Sequence, residues 1–203
     1  FSEEGKKLFG VPFAQFLKLN SEFRYHYRID KNQMIASRIA GGVIWSYGNA
    51  TTAPYTEQFY IGGANSVRAF SARSIGPGGY PPETDRKYTY INHVGDIRIE
   101  ANIEYRFRMI ADLHGAVFLD AGNVWLMRKD ENRPNCEFTL KNFPKQVALG
   151  TGAGLRYDLD FLVFRFDWGV ALHDPYDTGK KGYYNIPKFK DGMAWHFAIG
   201  YPF

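Results

Sequence analysis

At 203 residues the chain can bury a sizeable core, and 45% hydrophobic with 23% charged residues matches an ordinary soluble protein, so bulk composition excludes little. A formal charge of +4, with basic residues spread rather than clustered, argues against a nucleic-acid partner. No run approaches the roughly 20 consecutive apolar residues of a spanning helix, which leaves two classes, a soluble domain or a membrane barrel built of strands.

The chain opens on Phe1 in what reads as mid-domain sequence without a signal segment, so a fragment is expected. The first predicted strand, Phe13 to Ile29, sets Leu17, Leu19, Phe23, Tyr25 and Tyr27 against Lys18, Asn20, Glu22, Arg24, His26 and Arg28. After a tight turn at Asp30 to Asn32, the second, Gln33 to Gly48, carries Ile35, Ile39, Val43, Trp45 and Tyr47 on one face. The connection that follows, residues 48–93, far exceeds the usual loop of about 4 to 6 residues. Its stretch from Phe59 to Phe70 is apolar and aromatic, so it is expected to pack rather than wander.

Alternation is clearest from Val94 to Arg108, where Ile97, Ile99, Ala101, Ile103, Tyr105 and Phe107 face one way and Asp96, Arg98, Glu100, Asn102, Glu104 and Arg106 the other. A fourth strand, Leu113 to Trp125, presents Leu113, Val117, Leu119 and Trp125, the last suited to an interfacial girdle. The fifth, Gln146 to Asp158, has Gly150, Gly152 and Gly154 on one face, which leaves room beside it. The sixth, Phe161 to Leu172, alternates Leu162, Phe164, Phe166, Trp168 and Val170 with Arg165, Asp167 and Gly169. The seventh, Met193 to Phe203, sets Met193, Trp195, Phe197, Ile199, Tyr201 and Phe203 outward.

These segments exceed the mean soluble strand of about 5 to 6 residues and fit the roughly 9 to 11 of a tilted membrane strand. Short connections (30–32, 109–112, 158–160) alternate with long ones (48–93, 126–145, 173–192), as in bacterial barrels with short periplasmic turns and longer outer loops. The expected fold is all-β, a transmembrane antiparallel β-barrel, with residues 1–203 forming about seven of its C-terminal strands. Two unpaired edges are untenable in lipid, so further strands are expected before Phe1.

Several motifs resemble the BamA/TamA superfamily of outer-membrane insertases and translocators. Val67-Arg68-Ala69-Phe70 matches three of the four positions of the family's Val-Arg-Gly-Phe/Tyr loop motif. The likeness continues through Asn102-Ile-Glu104-Tyr-Arg-Phe107, Phe118-Leu-Asp120-Ala-Gly-Asn-Val-Trp125, Gly150-Thr-Gly-Ala-Gly-Leu-Arg-Tyr157 and Gly200-Tyr201-Pro-Phe203. It covers essentially the whole chain, in the family's order. The Gly-Tyr-Pro-Phe ending is most similar to the TamA-like lipoprotein branch of Bacteroidetes, often called TamL.

The resemblance implies a barrel of about 16 strands in the outer membrane of a Gram-negative bacterium. It implies a loop, 48–93, folded into the lumen, with Arg68 held by the carboxylates of Glu104 and Asp120. Parity places both on polar faces of adjacent strands, and Glu100 qualifies by parity alone; ordinary hydrated lumen charges are the plain alternative, favoured for Glu100. Ala69 stands where glycine is usual, which puts tight docking of the loop tip in question. Gly200 matches a glycine at the weak lateral seam of the last strand, though a spacing glycine is as good a reading. Tyr201 and Phe203 resemble a C-terminal assembly signal, with lipid-facing girdle as the bland reading.

The function implied is assembly, insertion or translocation of outer-membrane proteins. The expected partners are outer-membrane lipids, client proteins, and a periplasmic accessory or TamB-like protein acting through N-terminal domains. A two-partner-type secretion pore and an outer-membrane enzyme such as a lipase are the alternatives. The five histidines show no metal-ligand spacing and no nucleophile motif occurs, so no enzyme, metal or cofactor is expected. The lone Cys136 has no intrachain partner.

Overall fold

In the computed structural model, which describes residues 7–9, 11–81, 93–159 and 161–203, the alternating segments pair into one seven-stranded antiparallel sheet. Its strands are β1 (Gln15–Arg28), β2 (Gln33–Tyr47), β3 (Ile97–Ile110), β4 (Leu113–Trp125), β5 (Ala148–Asp158), β6 (Val163–His173) and β7 (Met193–Ile199). Each pairs with the next in sequence, so the sheet is a meander with β1 and β7 at its open edges. A two-residue ladder, Lys7–Leu8 with Val11–Pro12, precedes it.

Short connections close the ladders locally. In the β1–β2 turn the Asp30 carboxylate accepts the Asn32 N–H at 2.7 Å, and Ile29 N–H donates to Gln33 O at 3.0 Å, the Asx chemistry that favours Asp in turns. Register then runs without a break from Arg28 opposite Met34 to Gln15 opposite Tyr47.

Polarity across the sheet is the reverse of a soluble sandwich. Leu17, Phe23, Ile39, Trp45, Ile103, Val117, Phe166, Trp195 and Phe197 stand exposed on one face. On the other, Arg38, Glu100, Asn102, Glu104, Asp120, Arg156, Arg165 and Asp167 are buried. Apolar side chains outward and charges inward is the arrangement required where the outer solvent is hydrocarbon. The described part of the 48–93 connection lies over the polar face, where Ile61, Val67 and Ile75 pack with Ile44 of β2, Val124 of β4 and Ala148 of β5. Residues 82–92 of that connection lie outside the described residues.

Three expectations change. Val94 to Asp96 do not extend β3; instead Gly95 exchanges backbone hydrogen bonds with Phe59 (2.8 and 2.9 Å), tying the long connection to the foot of the strand. Trp125 has outward parity but no exposure, because the 126–147 connection folds over it. Phe138 and Phe143 pack at 5.4 and 5.5 Å between ring centroids, and the indole N–H donates to Gln146 at 2.9 Å. It anchors a loop rather than a girdle. Finally, β7 ends at Ile199, and Phe203 turns inward to 7% exposure. Gly200 takes a φ of +82°, which breaks the alternation that would have carried Phe203 outward.

Candidate functional site

The tetrapeptide Val67 to Phe70 is a β-turn, closed by Phe70 N–H donating to Val67 O at 3.1 Å. Val67 at its base is fully buried in the apolar cluster between loop and sheet. Anchored there, the turn projects Arg68 onto the polar face.

Arg68 has no exposure. Its Nε and Nη2 donate to the two oxygens of Asp120 at 2.8 and 2.9 Å, the forked pairing that a planar guanidinium makes best. The Arg68 backbone N–H adds a third bond to Asp120 at 3.0 Å, so the same carboxylate fixes both turn and side chain. Nη1 pairs with Glu104. The guanidinium lies 3.6 Å from the centroid of the Phe118 ring beneath it, which favours a cation. Such a buried charge is tolerable only when its donors are satisfied, and removing one partner strands the other in low dielectric.

A wider network surrounds this pair. Glu104 also accepts from Arg106 Nε at 2.6 Å and Arg156 Nη2 at 3.1 Å, and Arg156 reaches Asp167 at 2.5 Å. Asn102 bridges loop and wall, donating to Ser66 O and to Asp120, each at 2.9 Å. Glu100 does not touch Arg68; it pairs with Arg38 at 2.7 Å and accepts the Ser66 hydroxyl at 2.6 Å. Glu104 and Asp120 thus converge on Arg68 while Glu100 holds the neighbouring turn. Arg38, Asn102, Arg106, Phe118, Arg156, Asp167 and His196 were not singled out from sequence. All lie on strand faces whose parity marks them as inward, His196 included between the outward Trp195 and Phe197, and that parity is the signal the sequence offers.

Ala69 does not need glycine's backbone freedom, since it is absent from the residues with positive φ. Room is made on the sheet instead. A β-carbon at Gly150 would fall 2.2 Å from the Ala69 methyl, and one at Gly169 would fall 2.7 Å from the Ala69 Cα. Two strand glycines therefore form the socket for the loop tip.

The end of the chain enters the same site. His196 on β7 donates through Nε2 to the Arg68 carbonyl at 2.8 Å. Past Gly200, the Tyr201 ring lies 4.5 Å from the Arg106 guanidinium, and the Phe203 ring sits 5.6 to 5.9 Å from Arg38, Arg68 and Arg106. Arg106 also donates to Phe203 O at 3.3 Å. Among the described residues no group of three His, Cys, Asp or Glu side chains could hold a metal, and no helix is long and apolar enough to cross a membrane, which says nothing of strands. The arrangement is a network of buried ion pairs within the sheet and between sheet and loop.

Comparison with known proteins bears on the family and the fold. The model of the Omp85 superfamily domain matches residues 9–203. The outer membrane protein assembly factor BamA of Nitratidesulfovibrio vulgaris is 27% identical over 184 residues, 90% of this chain and 20% of that protein. BamA of Neisseria meningitidis serogroup B is 29% identical over 89 residues, 41% of this chain and 11% of that protein. The chain thus spans about a fifth or less of these relatives. The crystal structure of BamA from Haemophilus ducreyi lacking POTRA domains 1-3 superposes with a TM-score of 0.63 at 17% identity, covering 92% of this chain and 35% of that one. The open seven-stranded sheet is accordingly part of a β-barrel of the Gram-negative outer membrane. With a family model spanning nearly its whole length, the chain belongs to the Omp85 superfamily.

Proposed function

We propose that this chain is the C-terminal part of a barrel that assembles, inserts or translocates outer-membrane proteins, with the 48–93 loop docked in its lumen and a weak lateral seam at β7. The observation that carries the reading is Arg68, fully buried and shared between Asp120 and Glu104 at the tip of a loop packed on the polar face. A second feature supports the seam. β7 is seven residues long against eleven to fifteen for the other six strands, and it turns off the sheet at Gly200. A short strand that ends in such a turn makes a weakly held ladder, the kind of edge that can accept an incoming strand by β-augmentation. No covalent chemistry is needed. Lipids of the outer membrane would meet the exposed aromatic face, client proteins the seam. A periplasmic accessory protein, TamB-like if the Gly-Tyr-Pro-Phe ending marks the TamL branch, would act through domains outside this chain.

The test uses the full-length protein in liposomes and follows the folding of a denatured small barrel client by its heat-dependent gel mobility. Folding faster than in liposomes carrying an inert porin is expected, with most of the gain lost in Arg68→Ala. No acceleration, together with passage of an unfolded chain through the pore, would replace this reading with a secretion pore.

A further inference from the structure

The loop end of the sheet holds further buried ionisable groups apart from the arginine cage, among them His173. His173 closes β6 and its ring bridges two connections. Nδ1 lies 2.7 Å from the carbonyl oxygen of Tyr183, and Nε2 lies 2.9 Å from that of Lys145. Both oxygens can only accept. A neutral imidazole has one N–H and satisfies one of them, whereas the imidazolium donates to both. The Tyr183 ring lies flat against the imidazole, with centroids 4.5 Å apart and planes 7° from parallel, a face that favours a cation.

Of the surrounding charges, Asp174 and Asp177 favour the imidazolium, whereas Lys145 and Lys180 oppose it. Burial pushes the Asp174 carboxyl up, while the Tyr176 hydroxyl and the charge of His173 hold it back. Burial and Asp174 together push the Tyr176 hydroxyl up. Lys145, Asp177 and Lys180 line the cavity of about 530 Å³ between the two connections, and Leu149 stands opposite His173 on β5. A carboxyl raised by burial destabilises the fold once ionised, and His173 in its cationic form offsets that charge. Loss of the imidazolium proton as pH rises removes one hydrogen bond and the counter-charge of Asp174 together.

We propose that His173 is a proton-operated clasp joining the 126–147 and 174–192 connections, closed when its ring carries both protons and released when one is lost. The clasp lies away from Arg68, and it stands or falls independently of the assembly role proposed above.

Spin labels at Lys141→Cys and Lys181→Cys, both exposed positions, would report the spacing of the two connections in the full-length protein, with the native Cys136 buried. Distances would be measured at about pH 5 and about pH 8, the interval over which histidine changes charge. A single narrow distance is expected at the lower pH. At the higher pH a broad component should appear, its ratio to the narrow one rising roughly tenfold, as loss of one hydrogen bond to a charged group requires. His173→Gln should show the broad component at both values. An unchanged wild-type distribution, or a pH response that survives in His173→Gln, would overturn the clasp.

Discussion

The loop tip and the edge strand β7 meet through a hydrogen bond from His196 to the Arg68 carbonyl, yet they are held very unequally. The tip has an apolar anchor at Val67, a forked ion pair to Asp120, a second carboxylate in Glu104 and a two-glycine socket. β7 has one ladder to β6, from Phe164 opposite Ile199 to Val170 opposite Met193, and outward aromatic stacking of Trp195 on Phe166 and Trp168. Interactions that survive only when every partner is present make a rigid post. A short edge ladder makes a region that opens at low cost.

Substitutions can break this contrast in graded steps. Asp120→Ala should have the largest effect, weakening loop docking by about 3 to 5 kcal/mol because Arg68 is left buried and unforked; hydrogen exchange over 61–75 would register it. Gly150→Val fills the socket and should cost about 1 to 3 kcal/mol by overpacking against Ala69. Its signature is faster loop proteolysis with the β6–β7 ladder unchanged. Gly200→Ala places a side chain at positive φ and should cost about 1 kcal/mol, confined to residues 198–203. Tyr201→Ala removes a half-exposed cation–π contact worth about 0.5 to 1 kcal/mol, visible as faster exchange at the chain end only. Equal loop and seam responses in all four variants would remove the distinction.

Much of this architecture was legible from alternation, because a face bearing Leu17, Phe23 and Tyr25 against Lys18, Arg24 and His26 can be read only with period two. Alternation failed where the backbone left it. One glycine with a positive φ, Gly200, turned Phe203 from lipid to the arginine cage. Trp125 kept its parity but was covered by Phe138 and Phe143, which lie in a connection whose path no periodicity describes. The site was legible in part. Parity put Glu104 and Asp120 inward, and so did it Glu100, Arg156 and Asp167. Which of these converge depends on strand stagger, seen in Asn102 facing Asp120 and Glu104 facing Phe118 across the β3–β4 ladder. That stagger decides that Glu100 meets Ser66 rather than Arg68.

The central claim is that the loop is held by Arg68 on Asp120. A double-mutant cycle of Arg68→Ala and Asp120→Ala in the full-length protein, read as the free energy of loop opening by hydrogen exchange, isolates that pair. A coupling of about 2 kcal/mol or more is expected for groups in direct contact. Strictly additive effects would contradict it and assign the docking to the apolar cluster around Val67 alone.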